Sequence, residues 1–110
     1  MNKSSLTATA REQLKRAADS SNGRSSTTVY GGHEKSLRQT VVAMTAGCKL
    51  DEHENPGEAT IYVLNGRVEL RAGQDSWSGW TGDLLIVPDA RHSLHAIDDC
   101  AVLLTVAKQI

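Results

Sequence analysis

Phenylalanine is absent from this 110-residue chain, and aromatic residues make up only 4% of it. The core must therefore rest on Val, Leu, Ile and Ala. Cysteine is almost as scarce. Cys48 and Cys100 lie far apart and outside any C-x-x-C pattern, so the expectation is two free thiols. An excess of charge is missing too: the formal net charge is −1 and the pI about 6.4. That balance gives no electrostatic footprint for nucleic acid or for an anionic membrane surface. No apolar run approaches the length of a membrane span. The N-terminal Met1-Asn2-Lys3-Ser4-Ser5-Leu6 lacks the apolar segment of a secretion signal, so the sequence predicts a cytoplasmic protein.

What is present suits one folded domain. The length fits a single core. A mixed 23% of charged residues with 39% apolar ones argues against a largely disordered chain. Leu6, Ala10, Leu14 and Ala17 or Ala18 share one helical face, and Thr9-Ala10-Arg11-Glu12 has capping-box spacing. These predict a short amphipathic helix over about 7–18, ended by Ser20-Ser21-Asn22-Gly23. Its expected role is to cover one end of a barrel or a neighbouring subunit. Residues 1–24 read as tail and helix, and 25–110 as a β domain.

Beyond Ser25 the pattern is that of many short strands: 26–30, 37–44, 59–64, 67–71, 76–80, 83–87, 92–96 and 101–107. Turn residues separate them, and this spacing indicates a sandwich or barrel. Asn65-Gly66 between two apolar strands predicts a type I′ hairpin turn.

Two stretches carry the chemistry. The first is Gly47-Cys48-Lys49-Leu50-Asp51-Glu52-His53-Glu54-Asn55-Pro56-Gly57-Glu58-Ala59, running on to Gly66. The second is Gly82-Asp83-Leu84-Leu85-Ile86-Val87-Pro88-Asp89-Ala90-Arg91-His92-Ser93. Together they resemble the two sequence motifs of the cupins, small β-barrels that often hold a metal. The family's first motif reads G, five residues, H-x-H, three or four residues, E, six residues, G. Here Gly47, His53 and Gly66 fit, while Asn55 stands at the second histidine and Ala59 at the glutamate. In the second motif Gly82 and Pro88 fit, Ala90 replaces a glycine, and His92 arrives one residue early. The resemblance covers roughly residues 30–107 and is nearest to a subgroup of short bacterial cupins of unassigned role. It implies an all-β double-stranded β-helix, or jelly-roll barrel, with the short helix at its N-terminus. It also implies a homodimer.

His53 and Asn55 are two residues apart on an extended segment, so they share a face, which in a cupin is the interior. His92 is expected to reach the same space, whereas His95, three residues on, faces the opposite way. One of Arg38 and Gln39 must point inward, and an inward Arg suits a carboxylate or phosphate. Met44 is expected as core or pocket lining. The candidate ligand pocket is thus His53, Asn55, His92, Arg38, Gln39 and Met44. His53 and His92 are the metal candidates. A divalent transition metal generally needs three or more protein ligands, and without a carboxylate at Ala59 a tightly bound ion is disfavoured. His33 or Glu58 could complete a site, which the sequence leaves open. The expectation is a small-molecule-binding cupin without catalysis. The alternative is a metal-dependent oxygenase or isomerase using His53 and His92. Each histidine also has the ordinary reading of a hydrogen-bonded residue in a polar barrel mouth.

Overall fold

The computed structural model describes residues 3–53 and 57–108. The helix, α1, runs from Leu6 to Asp19 and begins a turn earlier than the capping box suggested. Ser5 is the cap: its Oγ accepts from the Ala8 amide at 3.2 Å. Thr9 instead sits inside the first turn, its hydroxyl donating to the Ser5 carbonyl at 2.9 Å. A hydroxyl that satisfies an orphan amide one turn upstream lets the helix start there.

Nine strands follow: β1 (Arg24–Tyr30), β2 (Leu37–Met44), β3 (Lys49–His53), β4 (Gly57–Asn65), β5 (Arg67–Ala72), β6 (Asp75–Trp80), β7 (Leu84–Ile86), β8 (His92–Ala96) and β9 (Cys100–Lys108). They form two sheets, β1-β2-β9-β4-β7 and β3-β8-β5-β6, and every pairing is antiparallel. The sheets pack face to face around a core of Val42, Met44, Ile61, Val63, Val68, Leu70, Leu94, Cys100 and Val102. With no Phe available, these β-branched and aliphatic side chains fill the space between them.

The Asn65-Gly66 hairpin is not formed. β4 belongs to the five-stranded sheet and β5 to the four-stranded one. A type I′ turn needs positive φ at both central residues, yet Asn65, like every non-glycine residue among those described, does not have it, and of the pair only Gly66 does, at 91°. One left-handed residue bends the chain from sheet to sheet. A Cβ on Gly66 would run into the Asp99 carbonyl oxygen, so the corner needs glycine twice over. A hairpin does form between the two motifs, with β5 paired to β6 from Arg67–Trp80 to Ala72–Asp75.

Helix α1 lies on the outside of the five-stranded sheet rather than across a barrel end. Ala10 and Ala17 of the helix pack on Ala43 and Ala101, with Leu14 and Leu64 beside them. Alanine on both surfaces lets helix and sheet approach closely. Gln13 is buried in this seam, where its Oε1 accepts from Ser25 Oγ at 2.5 Å. A buried amide needs such a partner.

Candidate functional site

Strand alternation divides the inner faces into rows running across the sheets. In the five-stranded sheet, Met44 pairs with Cys100, and Val42 with Val102 and through it Val63. The next row joins Thr28, Thr40, Leu104, Ile61 and Leu85. The last joins Arg38, Val106 and Ala59, with the Val87 amide on the Ala59 carbonyl at 3.0 Å. In the facing sheet, Ala96 pairs with Val68 and through it Gly79, and Leu94 with Leu50 and Leu70. The row beyond is led by His53 opposite His92.

The two sets of rows share one direction. Gly47 donates to the Ala96 carbonyl and Ala96 to the Cys48 carbonyl, both at 2.9 Å. Ala96 therefore lies at the Met44 end, and His92 at the Arg38 end. The Met44 end is closed by side chains with essentially no exposure, Met44, Cys100, Val63 and Val68 among them. At this end burial is also the main reason the Cys100 thiol is pushed up to about 11, so it stays protonated. Gly79 helps seal it. A Cβ there would meet Leu85 Cδ1 at 3.0 Å and Val63 Cγ2 at 3.1 Å, tighter than side chains normally pack.

The Arg38 end is polar. His92 is 5% exposed and its Nδ1 is 3.0 Å from the Ala90 carbonyl. A carbonyl only accepts, so Nδ1 carries the proton, and a neutral ring then bears its lone pair on Nε2. Lys108 Nζ donates to the Gly32 carbonyl at 2.7 Å and so ties the β1–β2 connection to β9. At the β4–β7 edge a hollow of about 460 Å³ is lined by residues of both faces, Gly57, Glu58, Ala59, Thr60, Ile86, Val87 and Asp89, and neither Arg38 nor His92 borders it. Glu58 pairs with Ala107 and is exposed, as its spacing from the buried Ala59 requires.

The structure separates the six expected pocket residues. Arg38 and His92 come from opposite sheets to the same end, and the β3–β8 register brings His53 to that end as well. The side chain of His53 and the whole of Asn55 lie outside the described residues. Gln39 turns to the other side of its sheet, where Nε2 donates to Thr105 Oγ1 at 3.2 Å. There it lines an outer groove of about 470 Å³ with Lys3, Leu6, Tyr30 and Leu103. Met44 is core at the closed end, roughly 20 Å along β2 from Arg38 at about 3.3 Å per residue. Thr28 and Thr40 were not singled out from the sequence. Counting back in twos from Val42 would have found Thr40; Thr28 needs the β1–β2 register.

The donors present among the described residues do not fit a transition-metal ion. No group of three or more His, Cys, Asp or Glu side chains among them could hold one. Ala59, at the family's glutamate position, is buried in the apolar core. His33 is exposed in the connection between β1 and β2.

Two antiparallel sheets, closed by side chains at one end and polar at the other, match solved structures along most of the chain. A conserved protein of unknown function from Streptococcus pyogenes superposes with a TM-score of 0.73 at 25% identity, covering 83% of this chain and 79% of that one. An RmlC-like cupin from Desulfovibrio desulfuricans gives 0.67 at 26% identity, over 76% and 81%. A cupin superfamily protein from Desulfitobacterium hafniense gives 0.71 at 15% identity, over 78% of each chain. The chain has the cupin fold. No protein-family model and no curated protein matches its sequence. The cupin fold is thus carried by its register and two-sheet topology.

Proposed function

We propose that this cupin binds a small molecule at the open end of its barrel and does not catalyse a reaction. One observation carries the reading: the inner rows are apolar and shut from Met44 to Leu94, then turn polar at Arg38 and His92. A polar rim over an apolar floor is the usual make-up of a small-molecule site. The missing carboxylate at Ala59 argues against a tightly held dication. A fragment screen followed by amide NMR tests the reading. Binding should perturb Thr40, Leu94 and His92; perturbations confined to the outer faces would overturn it.

A second reading has its own support in the β3–β8 register, which sets His53 opposite His92. In that reading the two imidazoles belong to a metal-dependent oxygenase or isomerase. Elemental analysis of tag-free protein prepared without chelator decides between them. About one equivalent of a transition metal, lost in His92→Ala, would favour the enzyme.

The proposed partner besides the ligand is a second copy. Tyr30, Leu37, Tyr62, Leu84 and Ile86 are 38% to 68% exposed and lie on one outer face of the five-stranded sheet. They expose on the order of 500 Å², already the scale of the largest patches on monomers and a large part of the roughly 800 Å² per partner of a stable dimer. Among the described residues no helix is long and apolar enough to cross a membrane.

A further inference from the structure

Arg38 stands apart from the other arginines of the strands and loops. Arg71 and Arg91 each meet a carboxylate, from Glu69 and Glu52. Arg67 lies over the Trp80 ring, 4.6 Å from its centroid, and Arg24 donates to the Lys49 carbonyl at 3.2 Å. Arg38 has no carboxylate partner among the described residues. Its own row offers none, because Val106, Ala59 and Val87 are apolar. Its face is fixed by Val106, which is buried in the core and pairs with it directly. One row deeper, Leu104 and Ile61 form an apolar floor, faced by Leu94 and Leu70.

We propose that the open end takes a small monocarboxylic acid, with the Arg38 guanidinium receiving the carboxylate and the apolar floor its body. This rests on the binding function proposed above and names its ligand class. A guanidinium presents a planar fork of donors that matches a carboxylate in two parallel hydrogen bonds. The guanidinium is exposed and meets no carboxylate among the described residues, and it stands beside apolar surface that suits a short hydrocarbon. A phosphate dianion would draw on a second cation, and Lys108 on this inner face is held toward the Gly32 carbonyl. Thr28 and Thr40, in the row beneath Arg38, supply hydroxyls for a substituent on the acid.

Calorimetry with matched probes tests this: hexanoate against hexanamide, and benzoate against benzamide. The acids should bind at least about tenfold tighter than their amides, the scale of one charge-assisted hydrogen bond. Arg38→Gln should remove that preference, and Arg38→Lys should restore part of it. Arg11→Gln, on the exposed side of α1 and equal in charge change, should leave the preference intact. Amides binding as well as acids, or an acid preference that survives Arg38→Gln, would overturn the carboxylate assignment and leave small-molecule binding standing. Silence from all four probes would overturn the assignment too, while the fragment screen judges the binding reading separately. Circular dichroism of each variant separates a lost contact from a lost fold.

Discussion

On the outer face of the five-stranded sheet, the row Thr27, Val41, Leu103, Tyr62 and Leu84 carries no charge, and neither does the row Tyr30, Gln39, Thr105, Thr60 and Ile86. On the outer face of the four-stranded sheet, Lys49 pairs with His95, His95 with Glu69, Arg71 with Ser93, and Arg67 with Trp80. Both faces arise from the same alternation of side chains, and both cover the same core. Their difference is what the second copy proposed above would require. A charged face is already matched to water. Two adjacent uncharged rows of β-branched and aromatic side chains suit another such strip, and they can meet their own copy across a two-fold axis while Glu58, in the next row, stays at the rim. Helix α1 covers one side of that face through Ala10, Ala17, Ala43 and Ala101, and leaves the side toward β7 open.

The sharpest way to break the comparison is to exchange inside for outside. Leu70 is fully buried, so Leu70→Ala should cost about 2–5 kcal/mol in urea or guanidinium unfolding. Leu84, 57% exposed on the uncharged face, should lose no more than about 0.5 kcal/mol as Leu84→Ala in monomeric protein. If Leu84→Ala costs as much as Leu70→Ala at a concentration where the protein is monomeric, the outer face is part of the fold and not an interface.

Ile86→Asp addresses the face itself. It places a charge at the β7 edge of the uncharged strip, on its most exposed side chain, and should convert a dimer to monomer by sedimentation or light scattering at tens of micromolar, a concentration at which association is read by mass action. Glu69→Ala on the other sheet should leave the assembly unchanged. A wild-type chain already monomeric at that concentration would sink the proposed partner.

The helix seam offers a third, smaller effect. Ala17 is 1% exposed against Ala43 and Ala101, so Ala17→Leu must push helix and sheet apart. Overpacking of this kind costs about 1–3 kcal/mol. A neutral result would mean that α1 rides loosely on the sheet.

How much of this was legible beforehand follows from which features are local. Strands β2 and β8 were predicted with their observed bounds, because each is a clean run between turn residues. The opposite facing of His92 and His95 also followed from period-two alternation, and the structure has His92 buried and His95 half-buried on the other side. Asn65-Gly66 misled because the dipeptide reports a turn, while the sheet that receives the next strand is set by contacts distant in sequence. Ser5 was overlooked as the cap because Thr9 followed by Glu12 copied the capping-box spacing one turn later. Arg38 and Gln39 could not be told apart from sequence, since alternation says only that they face opposite ways. The Arg38–Val106 pairing, between residues far apart in the chain, makes Arg38 the inner one.

The smallest effect concerns the charged face and its single imidazole. His95 Nε2 lies 2.9 Å from Ser93 Oγ. Partial burial holds its pKa below the ordinary 6.5, and the neighbouring Arg71 and Lys49 push the same way, against Glu69. The folded state thus resists a proton that the unfolded chain accepts at about 6.5. Above that pH the ring is neutral in both states and contributes no pH dependence. As the pH falls below 6.5 the unfolded state gains the proton first, so stability declines until the folded ring is protonated as well. His95→Gln should flatten this part of the stability profile between pH 7 and 5, with no change above 7. Arg71→Ala should bring the decline closer to that of a free imidazole, by removing one of the two cations. A variant that unfolds with the same pH slope as the wild type would move the titration elsewhere, and would leave the charged face with no part in how this protein responds to acid.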